Sequence, residues 1–147
     1  FIASSGGHFE QLMMLRPLMD KYESFIVTEK TGYFVINDNR KIYYLSQVNR
    51  KEKTFLYKMM FNFINSLSLF IKERPDGVIS TGALVTIPMC IFAKIFKKKI
   101  IFIESFAKVN SPTLTGKLVY KFADQFYVQW EQMKEYYPNA IFKGGIY

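Results

Sequence analysis

The chain has 147 residues, half of them hydrophobic, which is enough for one domain with a substantial core. Its 20 Lys and Arg against 12 Asp and Glu leave a formal charge of +8, so an anionic partner is expected: nucleic acid, an anionic membrane surface or a phosphorylated ligand. The single cysteine, Cys90, lies in an apolar run; it excludes an intramolecular disulfide and a cysteine-based metal site, and fits a reducing compartment.

In chain order, apolar β-rich runs alternate with helical patterns. Phe1 to Ala3 reads as the remnant of a first strand, trimmed at its N-terminus, where an anchor or signal can have been lost. Ser4-Ser5-Gly6-Gly7-His8 follows as a turn, and Gln11 to Met19 as a helix. Ser24 to Thr28 is the second strand, Lys30 to Arg40 a polar loop and Lys41 to Leu45 the third strand. A long helix is predicted from Thr54 to Lys72, stopped by Pro75-Asp76-Gly77. Its polar residues Lys58, Asn62, Asn65 and Lys72 form a narrow stripe, and nearly everything else is apolar. Such a helix is buried in the core, or faces a membrane or a partner. Val78 to Ser80 is strand four, Leu84 to Phe96 a helix despite Pro88, and Lys99 to Ile103 a strand apolar enough to be buried on both faces. Leu114 to Phe122 is a helix, Gln125 to Gln129 strand six, Glu131 to Tyr136 a short helix and Ala140 to Phe142 a short strand or loop. This alternation predicts an α/β fold with a doubly wound, mostly parallel sheet, in a single domain spanning residues 1–147.

Three segments fall at the carboxyl ends of predicted strands, where open parallel sheets bind ligands. Ser4-Ser5-Gly6-Gly7-His8 offers unpaired backbone N–H groups and a glycine approach to an anion, with a histidine beside it to handle a proton. It lacks the spacing of the dinucleotide fingerprint and of the P-loop, and its plain alternative is a turn in which Ser4 or Ser5 caps the helix. Ser80-Thr81-Gly82-Ala83 repeats the glycine-and-hydroxyl pattern, as a second phosphate or sugar contact or as another capped turn. Glu104-Ser105 sets a carboxylate at the mouth of a buried strand, suited to sugar hydroxyls or to a helix cap or salt bridge.

Taken together, Ser5 to His8, Pro75 to Gly82, Ile103-Glu104-Ser105 and Ala123 to Trp130 resemble the oligosaccharide biosynthesis family. Its eukaryotic member is the membrane-anchoring subunit of the second N-acetylglucosaminyltransferase of dolichol-linked glycan assembly. Its bacterial members include PssD- and CpsF-type proteins of exopolysaccharide and capsule synthesis. The glycine turns also look like those of the peptidoglycan lipid-I N-acetylglucosaminyltransferase. The resemblance implies a Rossmann-like N-terminal, acceptor-side half of a GT-B glycosyltransferase, without metal or other cofactor. A small donor-side subunit would carry most of the UDP-sugar site. The acceptor would be a polyprenyl-diphosphate saccharide at the cytoplasmic face of the cell membrane; nucleic acid is not implied.

By position, the resemblance puts Ser5, Gly6 and Gly7 beside the acceptor diphosphate, with Thr81, Gly82 and Ser105 lining the same cleft. His8, the one histidine, would be the general base, or else a structural residue bonding the Gly82 turn. Glu104 would bind the sugar or hold His8. Lys108 and Ser111 would contact the cleft or the partner, with Lys117 following in the helix the family carries there; Gln129 and Trp130 would end strand six near the same rim, Trp130 packing under the cleft or against the partner. The rival reading is a non-catalytic scaffold that recruits and enhances a partner transferase at the membrane. A free-standing nucleotide-binding domain fits less well, since Glu29 alone stands near the position expected for ribose.

Overall fold

The structure, a computed structural model, describes residues 1–32 and 38–147; part of the loop expected over Lys30 to Arg40 lies outside the described residues. Seven parallel strands form one sheet in the order β3-β2-β1-β4-β5-β6-β7. They are β1 (Ile2–Ala3), β2 (Ile26–Glu29), β3 (Ile42–Leu45), β4 (Gly77–Gly82), β5 (Lys99–Ile103), β6 (Gln125–Val128) and β7 (Ile141–Phe142). The helices are α1 (Gly7–Met13), α2 (Arg16–Met19), α3 (Phe55–Glu73), α4 (Ile87–Ile95) and α5 (Leu114–Val119). Short 3-10 turns occupy Leu84–Thr86 and Glu131–Glu135. Strand order reverses between β1 and β4, which is the switch point where such sheets open a crevice.

Several boundaries differ from the sequence expectation for identifiable reasons. The helix expected over Gln11 to Met19 starts earlier, at Gly7, because the Gly6 carbonyl accepts from the N–H groups of Phe9 and Glu10. It then breaks at Leu15, and Pro17 opens a second short helix, where its missing N–H costs nothing. Pro88 acts in the same way: it sits in the first turn of α4, after the 3-10 turn that begins the predicted helix.

Strand alternation and the packing clusters divide the sheet into two faces. One face carries α3, α4 and α5 over Val78, Ile100, Phe102, Phe126 and Val128, with Phe102 and Phe126 stacked 5.2 Å apart. Cys90 lies in this core, its thiol pushed up to about 12 by burial, and is an inert packing residue. The opposite face carries α1 and α2, which cover Ala3 and Ile26 with Phe9, Leu12 and Met19. Further along that face Ile79, Ile101 and Tyr127 stay half-buried, so β5 is fully covered on one side and only partly on the other.

Helix α3 buries polar side chains as well as apolar ones. Asn62, Ser66 and Phe70 are buried and Leu67 and Leu69 pack against the core, while Leu56 (77% exposed), Met60 (67%) and Ile64 (60%) are exposed with Tyr57 and Phe61. Asn62 lies inside because it closes two hydrogen bonds onto the loop after β3: Ser46 N–H donates to Oδ1 at 2.9 Å and Nδ2 donates to the Ser46 carbonyl at 2.7 Å. Lys58 pairs with Glu52, and the Lys72 ammonium stands 5.1 Å over the Tyr43 ring.

Candidate functional site

The first and fourth strands end side by side at the switch point, and their glycine turns interlock there. Ser4 N–H donates to the Gly82 carbonyl at 2.7 Å, continuing the β1–β4 pairing past the last strand residue. The chain then turns at Gly6 with φ 69°, a conformation that favours glycine, and enters α1. Neither serine caps the helix; Gly6 occupies the N-cap position and supplies no side chain. The backbone N–H groups of Gly6, Gly7 and His8 find no acceptor among the described residues. Three consecutive backbone donors without a partner at a turn suit an anion.

His8 reaches across the switch point. Its Nδ1 lies 2.6 Å from the Thr81 carbonyl, and the Thr81 hydroxyl donates back to the His8 carbonyl at 2.7 Å. A carbonyl only accepts, so Nδ1 carries the proton, and in the neutral ring Nε2 keeps its lone pair. Nε2 has no partner among the described residues. The ring packs against Gly82, where an added Cβ would come within 3.2 Å of it and where φ is 93°. Gly82 therefore serves two needs at once: a positive φ and room for the imidazole. Thr81 is fully buried, and its hydroxyl fixes α1 to β4.

Glu104 does not face His8. Its carboxylate is 1% exposed and accepts from Ser105 N–H at 2.9 Å, Thr113 N–H at 3.2 Å, the Thr113 hydroxyl at 2.9 Å and the Tyr137 hydroxyl at 2.7 Å. Thr113 in turn caps α5 by accepting from Gly116 N–H. Burial and the neighbouring Glu104 carboxylate push the Tyr137 phenol upward, so it stays protonated as a donor. The expected contact with sugar or with His8 is thus replaced by a clamp that fixes the two ends of the 105–112 loop. The strand-mouth position is legible in sequence; the donors come from Thr113 and Tyr137, which no local spacing connects to it.

Beyond β6, Gln129 and Trp130 lie beneath the rim, Trp130 in one of its two expected placements. Gln129 Nε2 donates to Gln11 Oε1 at 2.7 Å and to the Glu104 carbonyl at 2.9 Å, and its Oε1 accepts from Ile146 N–H. Gln11 also accepts from Phe106 N–H. Trp130 Nε1 donates to the Phe106 carbonyl at 2.7 Å, with the two rings 4.9 Å apart. Both side chains hold the rim loop from below. Lys108 is half-buried on that loop, while Ser111 and Lys117 are exposed. Gln11 was not singled out from the sequence; its one signal is a glutamine on the inner face of α1.

Glu29, at the end of β2, points back at the glycine turn. It accepts from Ser5 N–H at 3.1 Å, the Ser5 hydroxyl at 3.0 Å and Val48 N–H at 3.1 Å. Its oxygens are occupied, which removes the single acidic candidate for a ribose contact. A groove lined by Ser5, Gly6, Thr28, Thr31 and Tyr44 runs beside it. A larger hollow lies at the amino ends of β2 and β3, but its Arg16 and Arg40 are paired with Asp38, and Arg40 also with Asp20, so it presents no unbalanced charge for an anion.

Sheet order, switch-point crevice and interlocked glycine turns define a Rossmann-like domain of the type that forms the N-terminal half of a GT-B glycosyltransferase. MurG from Acinetobacter baumannii superposes with a TM-score of 0.70 over 89% of this chain and 42% of that one, at 14% identity. A UDP-N-acetylglucosamine 2-epimerase superposes at 0.64 over 91% and 42%, at 13% identity. The family model described as oligosaccharide biosynthesis protein Alg14 like matches residues 19–146, and the chain belongs to that family. It is 30% identical to the UDP-N-acetylglucosamine transferase subunit ALG14 of Rattus norvegicus over 71% of this chain and 54% of the rat protein. It is 26% identical to the UDP-N-acetylglucosamine--N-acetylmuramyl-(pentapeptide) pyrophosphoryl-undecaprenol N-acetylglucosamine transferase of Staphylococcus carnosus over 90% of this chain and 40% of that protein. The chain spans about half the length of the mammalian relatives it matches.

Proposed function

We propose that this chain is the acceptor-binding subunit of a two-component glycosyltransferase, moving a sugar from a UDP-sugar to a polyprenyl-diphosphate-linked saccharide at the cytoplasmic membrane face. The observation that carries the reading is His8: its Nδ1 is fixed on the Thr81 carbonyl, its Nε2 has no partner among the described residues, and the unpaired N–H groups of Gly6 and Gly7 directly precede it in the chain. The N–H groups hold the diphosphate. The acceptor hydroxyl attacks the anomeric carbon with inversion, the bond from that carbon to the UDP oxygen breaks, and Nε2 takes the hydroxyl proton. A small partner subunit over the rim supplies most of the UDP-sugar site. Lys108, Ser111 and Lys117 lie on or beside the loop that such a partner would meet. The relatives' names favour N-acetylglucosamine as the sugar and a lipid-linked acceptor. Exopolysaccharide or capsule synthesis is the setting in which we place a bacterial version of this reaction.

No helix among the described residues is long and apolar enough to cross a membrane. The outer face of α3 supports surface attachment instead. Its exposed Leu56, Tyr57, Met60 and Ile64 are flanked by exposed Arg50, Lys51 and Lys53 before the helix and by Lys72 and Arg74 at its end. Apolar side chains between basic clusters suit an anionic lipid interface. Because α3 follows the carboxyl end of β3, its first turns lie at the rim end of the sheet, on the side from which a polyprenyl chain would leave the membrane.

The test is co-expression with the small protein encoded beside it and transfer of labelled sugar from UDP-sugars to a polyprenyl-diphosphate acceptor. Activity that needs both chains and is lost in His8→Ala supports the reading. Activity that needs both chains but ignores His8→Ala supports the scaffold reading, and full activity from the partner alone sinks both.

A further inference from the structure

The reading above uses the backbone of Ser5 to His8 but leaves open what holds that backbone in place. An added Cβ at Gly6 or Gly7 would meet nothing within 4 Å among the described residues, so no packing in that direction restrains them. A turn built on two glycines has many accessible conformations, and an anion site formed from it binds weakly unless something selects one of them. The hydrogen bonds at its amino end do this. On one side Ser4 is paired to Gly82. On the other, Ser5 gives both its N–H and its hydroxyl to one oxygen of Glu29.

We infer that Glu29 is a positioning residue of the acceptor site, holding the Ser5–Gly6 peptide so that the Gly6, Gly7 and His8 N–H groups converge on the acceptor diphosphate; this rests on the acceptor-site reading. Three features support it. The carboxylate is 7% exposed, and each oxygen already has a donor, so it is a strut and not a ligand contact. The other oxygen is fixed by Val48 N–H, in the loop that Asn62 grips through Ser46 two residues earlier. The strut therefore rests on a braced loop that leads into α3. Finally, all three groups it meets are donors, so an acceptor-only side chain is required; glutamine would turn an N–H₂ toward one of them. A carboxylate beside an anion site repels the anion, and its presence there is accounted for by the need to orient the turn.

The sign of the effect distinguishes this role from the alternatives. Inorganic pyrophosphate is titrated into the 15N-labelled full-length protein while the amide signals of Gly6, Gly7 and His8 are followed, so that only folded molecules are read. The wild type shows saturable shifts at these amides, and Glu29→Gln binds about tenfold more weakly, the scale of one lost hydrogen bond. Equal or tighter binding in Glu29→Gln overturns the positioning role, since removing a nearby negative charge alone strengthens anion binding. A lower melting temperature with unchanged affinity marks a purely structural residue and overturns it too. Absence of shifts in the wild type overturns the acceptor-site reading and this inference with it. If Glu29→Gln does not fold, Ser5→Ala removes one of the two donors from the turn side. It is expected to weaken pyrophosphate about threefold, and an unchanged affinity overturns the inference.

Discussion

The rim at the β1/β4 switch point and the outer face of α3 arrange polarity in opposite senses. At the rim, buried polar side chains are nearly all satisfied by one another: Glu29 by Ser5 and Val48, Glu104 by Thr113 and Tyr137, Gln129 by Gln11. What is left unpaired there among the described residues is three backbone N–H groups and one imidazole nitrogen. On α3 the polar residues Asn62 and Ser66 are buried beside Phe70, while Leu56, Met60 and Ile64 are exposed. Ser66 Oγ is the one buried side-chain polar atom without a partner among the described residues. Backbone donors free at a turn suit an anion as well as water, and exposed aliphatics suit an apolar phase, so the two regions fit the proposed acceptor with its charged head and hydrocarbon tail.

The largest expected effect breaks the rim. His8→Ala removes the proposed base and lowers kcat by roughly 10² to 10⁴, with the acceptor KM changed far less, as read by steady-state transfer kinetics. A raised acceptor KM with kcat little changed would instead mark His8 as a binding residue. Next, replacing Leu56, Met60 and Ile64 together by serine breaks the other half of the comparison. Each side chain contributes about 1.5–3 kcal/mol when buried in an apolar phase, so binding to anionic vesicles falls by at least roughly a hundredfold in a sedimentation assay. Because these side chains are exposed in the free protein, its melting temperature stays close to that of the wild type. A large loss of stability would show that the face is covered by protein.

A third, smaller effect concerns the support beneath the rim. A Cβ at Gly116 would overlap the Glu104 carboxylate and lie 2.6 Å from the Tyr137 hydroxyl. Gly116→Ala therefore forces the clamp apart and costs about 1–3 kcal/mol, measured by urea unfolding. Tyr137→Phe opens no new space but leaves Glu104 Oε2 one donor short, and is expected to cost less.

What the sequence makes legible follows from how local each feature is. The strands and the parallel sheet rest on apolar runs and alternation, and β5 lies where Lys99 to Ile103 predicts it. The glycine turns after β1 and at β4 are visible because glycine has few other uses at a strand end. The partners of the polar side chains are not visible, since they are set by contacts across long sequence separations: Gln129 to Gln11, Glu104 to Tyr137, His8 to Thr81. For the same reason Glu104 is legible as a carboxylate at the rim but not as a clamp. The long helix is a subtler case. Its polar stripe at Asn62 is evident in the sequence, yet amphipathicity alone assigns that stripe to solvent. The Ser46 backbone groups that Asn62 satisfies explain why this member of the stripe turns inward.

The smallest effect tests that explanation. Asn62 is fully buried and holds both the N–H and the carbonyl of Ser46. Asn62→Ala leaves these two backbone groups without their partner and is expected to cost about 1–2 kcal/mol by urea unfolding. Asn62→Leu sharpens the point, because it restores apolar volume at the most buried position of α3 without restoring either hydrogen bond. If the helix were an ordinary amphipathic one set inward by accident, leucine would match or exceed asparagine in stability. If Asn62 is buried because the loop after β3 needs a polar clasp, leucine is no better than alanine. In that case the loop fixes which turn of α3 faces inward, and so leaves Leu56, Met60 and Ile64 on the exposed face proposed to meet lipid.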